Sequence, residues 1–145
     1  MTLKPDANGM IDGPTHLSEF QKLIGWEVPV WEDGHAVVTC TLRPEFTNRR
    51  GGLHGGLVAT LIDAVAGHAA LGPPPERPGE PAPPGVTLSL TINFLGTLRE
   101  GTLTATARRT GGGKSIAFVH VTVEGPDGSP IAEATGTFRK FAPKG

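Results

Sequence analysis

Tyrosine is absent from the 145 residues, and cysteine occurs once. Without tyrosine, no phenol can assist a reaction. The single cysteine, Cys40, cannot form an internal disulfide, and its alternating surroundings (Ala36 to Leu42) suit a plain strand residue. An excess of one charge is also missing. Thirteen Lys and Arg face fourteen Asp and Glu, for a formal net charge of -1. That balance argues against nonspecific nucleic-acid binding and gives no signal for a membrane surface. The chain does not open with a basic start and a long apolar run, so no secretory signal is expected. The longest apolar stretch contains Asp63 and His68, which is too interrupted to cross a bilayer. A cytoplasmic setting is the default expectation. His16, His35, His68 and His120 fit no metal-ligand spacing with Cys40 or with each other, so no metal is expected.

Glycine and proline, by contrast, are plentiful, at 21 and 14 residues. Seven of the prolines fall within residues 72–85, which predicts an extended loop, either a solvated insertion or a lid. The length fits one domain over residues 1–145, with residues 1–14 polar and frayed. Leu17, Phe20, Leu23 and Ile24 repeat at helical spacing before Gly25. Two strands are expected at Glu27–Glu32 and His35–Arg43, turning at Asp33-Gly34. Residues 86–95, 102–109, 115–124 and 131–141 alternate with period two and are joined by glycine-rich turns, which implies antiparallel pairing.

Between these groups of strands lies Gly55–Leu71, GGLVATLIDAVAGHAAL, apolar on nearly every side. A helix of that kind is expected in the middle of a fold, buried on every face. The economical packing wraps about six antiparallel strands around it, an α+β architecture. Asp63 sits in the middle of this helix. A buried carboxylate is costly unless paired or hydrogen-bonded, which points to function, although a structural partner such as Arg49 is the rival reading. Gly56, Thr60, Asp63 and Gly67 fall four, three and four residues apart and share one face. This stripe of small residues invites close approach by a ligand or another backbone. At the helix start, His54-Gly55-Gly56 presents unpaired backbone N–H groups at the positive end of the helix dipole, which suits a developing oxyanion.

The spaced set Asn48-x-x-Gly51-x-x-His54-Gly55-Gly56, followed by Leu61-x-Asp63-x-x-x-Gly67, resembles the signature of hotdog-fold acyl-CoA thioesterases of the phenylacetate-degradation (PaaI-like) type. The resemblance extends over about Leu17–Phe141. It implies Asp63 as catalytic carboxylate, either nucleophile or general base, and the Gly55 N–H as oxyanion donor. Asn48 and His54 would orient the thioester and water, and Thr87 would position the nucleophile. It implies an active site shared between two subunits, in homodimers that often pair again into dimers of dimers. CoA would be part of the substrate, with no separate cofactor. For CoA contacts, Gly56, Arg99, Arg108, Arg109, Gly113, Lys114, Ser115 and Arg139 are candidates, because arginine and lysine pair well with phosphate. The proline-rich loop is longer than the family pattern needs. Two other functions fit the same fold: a hydratase or dehydratase of acyl thioesters, and a noncatalytic acyl-CoA-binding protein.

Overall fold

A computed structural model of the chain describes residues 17–77 and 80–142. The expected fraying of residues 1–14 lies outside them. Short helix α1 (Glu19–Ile24) begins where the Ser18 hydroxyl accepts the Gln21 N–H at 3.1 Å and stops at Gly25, whose φ of 84° is left-handed. Strands β1 (Glu27–Glu32) and β2 (His35–Thr41) follow, then a single 3-10 turn at Pro44–Phe46 that the pattern did not predict. The long helix α2 spans Gly55–Leu71, and β3 (Gly85–Phe94), β4 (Thr102–Gly112), β5 (Ile116–Glu124) and β6 (Pro130–Lys140) complete the chain. No helix among the described residues is long and apolar enough to cross a membrane.

The six strands form one antiparallel sheet in the order β1-β2-β4-β5-β6-β3. Because β4, β5 and β6 meander outward from β2, β3 is left at the far edge. The chain reaches it by running α2 across one face of the sheet. This is the expected α+β hotdog arrangement.

Strand alternation sets the two faces of the sheet. Ala36 and Val38, Leu103, Ala105 and Ala107, Val119, Val121 and Val123, and Ala134 and Phe138 are buried beneath the helix. The many alanines keep this face shallow, so the helix can approach closely. From α2, Leu57, Val58, Leu61, Ile62, Val65, Ala66, Ala69 and Ala70 are buried against them. Each fully buried Leu or Ile in this layer stabilises the fold by about 1.5–3 kcal/mol.

The helix is not buried on every side, contrary to expectation. Gly56 and Asp63 are exposed, and Thr60 and Gly67 are partly so. The sheet curves around only one side of α2, and the small-residue stripe looks outward.

The two sheet edges differ. β1 is six residues long, carries Pro29, and has an irregular register between Glu27 and Val30. β3 is ten residues long, contains no proline, and leaves Val86, Leu88 and Phe94 about half exposed.

Candidate active site

Asp63 lies midway along α2 on its open side. Its Oδ1 accepts a hydrogen bond of 2.7 Å from the Thr87 hydroxyl. Thr87 pairs with the inward-facing Phe138, and the β3 register shifts between Thr87 and Ser89. A bulge of this kind re-aims a side chain; here Thr87 reaches the helix. The expected Thr87–Asp63 pairing is therefore present, whereas Arg49 forms no bond to Asp63. The desolvation argument for Asp63 does not hold within one chain, because its own fold leaves the carboxylate in solvent.

The segment leading into α2 is organised by Asn48. Its Oδ1 accepts the Arg50 and Gly52 N–H groups at 2.9 and 3.2 Å, and its Nδ2 donates to the Leu53 carbonyl at 3.4 Å. Asn48 spends most of its hydrogen-bonding capacity on this turn, in the manner of an Asx-turn. Arg99 reinforces the turn by donating to the Arg50 carbonyl at 3.0 Å. His54 N donates to the Phe46 carbonyl at 2.9 Å and Leu53 N to that of Leu98 at 3.0 Å. These bonds fix where the helix begins.

His54 is the N-cap of α2. Its Nδ1 accepts the Gly56 N–H at 2.8 Å. An accepting Nδ1 is unprotonated, which leaves the ring hydrogen on Nε2, aimed away from the helix. A Cβ at Gly56 would stand 2.9 Å from that Nδ1, so glycine is needed there for the cap. Gly56 is therefore a structural partner of His54, and its amide is not free for a ligand. The Gly55 N–H, in contrast, has no acceptor among the described residues. It remains the open donor at the positive end of the helix.

Asp63 and Gly55 are eight residues apart on one helix, or about 12 Å along its axis. A carbonyl that accepts from one cannot be attacked through the other within a single chain, since both groups must lie within about 3 Å of the reacting atoms. The candidate carboxylate and the candidate oxyanion donor are thus held apart.

The candidate CoA contacts are scattered. Gly113 lines a cavity of about 590 Å³ with Asp33, Gly72, Arg109 and Lys140 at the C-terminal end of α2. Lys114 and Ser115 belong to the same β4–β5 turn, where the Ser115 carbonyl accepts the Lys140 N–H at 2.7 Å. Arg109 is tied to Asp33 at 2.9 Å. Arg99 belongs to the opposite end of the helix. Arg108 and Arg139 follow buried inward residues and so lie on the outer face of the sheet: Arg108 sits between His35 and His120, and Arg139 lies over the Phe141 ring. Arg99 and Arg108 therefore stand apart from Gly113, Lys114 and Ser115, whereas Arg139 pairs with Ile116 beside Ser115, on the outer face of the sheet. Lys140, which faces the cavity, was not anticipated. Its position at the end of β6 gave no local signal.

The acyl-CoA thioesterase N-terminal domain family matches residues 42–139. The human protein acyl-coenzyme A thioesterase 13 is 30% identical over 115 residues, which cover 77% of each chain. Among solved structures, the PaaI protein from the Escherichia coli phenylacetic acid degradation operon superposes with a TM-score of 0.74 at 25% identity, covering 86% of both chains. A thioesterase protein from Streptococcus pneumoniae, solved with coenzyme A, gives 0.72 at 26% identity, covering 83% of this chain and 88% of that one.

Proposed function

This chain belongs to the acyl-CoA thioesterase family and is an acyl-CoA thioesterase, and we propose that two copies joined through β3 build each of its active sites together. One copy contributes Asp63, held by Thr87, and the other contributes the Gly55 N–H and the Nε2–H of His54. The carrying observation is the division of the site: carboxylate and oxyanion donor lie about 12 Å apart on one helix, both on its uncovered end or face. Two-fold pairing of β3 with its counterpart runs the two α2 helices antiparallel. The Gly56, Thr60, Asp63 and Gly67 stripe then lets the helices meet closely. It also surrounds Asp63 with protein, which restores the low-polarity setting that a single chain fails to provide.

In that site the thioester carbonyl oxygen accepts from Gly55, and negative charge builds there as the carbonyl carbon turns tetrahedral. Asp63 drives the attack, either directly, giving an acyl-carboxylate anhydride that water then opens, or by taking a proton from water. The C–S bond breaks, the CoA thiolate takes up a proton, and the acid leaves. Thr87 holds one carboxylate oxygen, so the other is presented to the substrate. No cofactor enters, because CoA is itself part of the substrate. Its phosphates are assigned to the β4–β5 turn with Arg109, Lys114 and Lys140, about 12 Å along the helix from Asp63.

Asp63→Asn keeps the shape and removes the charge. Thiol release from acyl-CoA should fall about 10²–10⁴-fold, while the melting temperature stays within a few degrees of wild type. Turnover at the wild-type rate in this variant would remove Asp63 from the mechanism.

A further inference from the structure

We infer that Phe94 forms the wall of the acyl pocket and selects apolar acyl groups, an inference that rests on the thioesterase reading above. Phe94 ends β3 and pairs with the buried, inward-facing Ala132, so it points to the helix side of the sheet. Its ring lies against the first residue of α2. A Cβ at Gly55 would stand 3.4 Å from Phe94 Cε1 and 3.6 Å from Cζ. The ring is nevertheless 56% exposed. An aromatic ring on the inner face of a sheet, open to that degree, is a surface in need of cover.

The same corner holds the unpaired Gly55 N–H. A carbonyl oxygen bonded to that amide at about 2.9 Å places its carbon about 4 Å from the nitrogen. The substituents of that carbon then come within contact distance of the ring. The CoA phosphates are assigned to the far end of the other copy's α2, so the sulfur points that way and the acyl carbons turn toward Phe94.

The two halves also fit one register. Antiparallel pairing of β3 with Thr91 opposite Thr91 of the second copy matches the inward Ile92 to the inward Leu90 and, with the bulge between Thr87 and Ser89 counted, sets Phe94 opposite the second copy's Thr87. Thr87 carries Asp63 by its hydrogen bond, and Phe94 carries Gly55 by its contact. A single strand register therefore brings carboxylate, oxyanion donor and ring to one point. The ring offers no charge and no hydrogen bond, so it rewards hydrocarbon and not a second carboxylate on the acyl group.

The test uses calorimetric binding of acetyl-, butanoyl- and hexanoyl-CoA to the Asp63→Asn protein, whose slowed turnover leaves them intact during the titration. Affinity should rise about fourfold per added methylene. In Asp63→Asn/Phe94→Ala the increment should fall to less than half, and in Asp63→Asn/Phe94→Leu it should largely return. In the otherwise wild-type background, Phe94→Ala should lose at least about ten times more kcat/KM on hexanoyl-CoA than on acetyl-CoA. An unchanged increment, or an equal loss for every acyl group and for CoA alone, would overturn the assignment. So would an Asp63→Asn protein that binds hexanoyl-CoA no better than CoA. If the increment holds while the wild-type protein cleaves nothing, the pocket stands and the hydrolase reading falls.

Discussion

β1 and β3 both terminate the sheet, yet they present very different edges to solvent. β1 is short, interrupted by Pro29, and irregular where it leaves Glu27. Those are the devices that keep an edge from recruiting another strand. It is also pinned from within: Trp31 packs edge-on against His68 of α2 with ring centroids 4.4 Å apart, and its indole N–H donates to the Gly72 carbonyl at 3.1 Å. β3 has one of these devices, the irregular register between Thr87 and Ser89 that turns Thr87 toward Asp63, and lacks the other two. It is long and free of proline, with apolar side chains left open. A chain that blocks one edge and leaves the other bare has a use for the bare one. The candidate site residues Asp63, Thr87, Gly55 and Phe94 are grouped along that open side.

The largest expected effect breaks the contrast directly. Leu88→Lys with Thr91→Lys puts two charges on the open edge and should convert the proposed dimer to monomer in sedimentation. Activity should drop at least about a hundredfold with it, the cost of separating an oxyanion donor from its carboxylate. The control is a lysine on the blocked edge, Pro29→Lys, for which assembly and turnover should match wild type. If the β3 variant stays dimeric and active, the open edge is not where the copies join.

A smaller effect sharpens the contrast from the β1 side. Burial lowers the His68 pKa from its ordinary 6.5 to about 4. The folded chain therefore resists protonating a group that the unfolded chain protonates readily. This contribution is fully present above about pH 6.5, and it is lost as pH falls toward 4. At most about 3 kcal/mol is at stake. Urea midpoints of the wild type should decline through that window, and those of His68→Phe should decline less. Identical profiles would show that His68 takes up its proton equally readily in the folded and unfolded chains.

Most of the fold was legible because periodicity reports which face of an element is covered. The helix bounds Gly55–Leu71 and every strand followed from spacing and turn residues, to within a few positions. The error on α2 was one of counting glycine and alanine as covered because they are apolar. At Gly56 and Gly67 they mark a face kept bare. Parity along the strands could have excluded Arg108 and Arg139 from an inner site, since each follows a residue that must point into the core. Asn48 was read through the family resemblance as a substrate contact, while locally it is the keystone of its own turn. The meeting of Phe94 with Gly55, and of Lys140 with Gly113, depends on contacts between residues far apart in sequence. No local pattern encodes those.

Mixing two crippled proteins tests the shared site most directly. Asp63→Asn lacks the carboxylate and Gly55→Val crowds the oxyanion corner, so each alone should be nearly inactive. Unfolded together and refolded at equal amounts, half of the dimers should be hybrids carrying one intact site of two. Thioester cleavage should then recover to about a quarter of the wild-type rate. No recovery, from a mixture shown to contain hybrid dimers, would contradict a site divided between two copies.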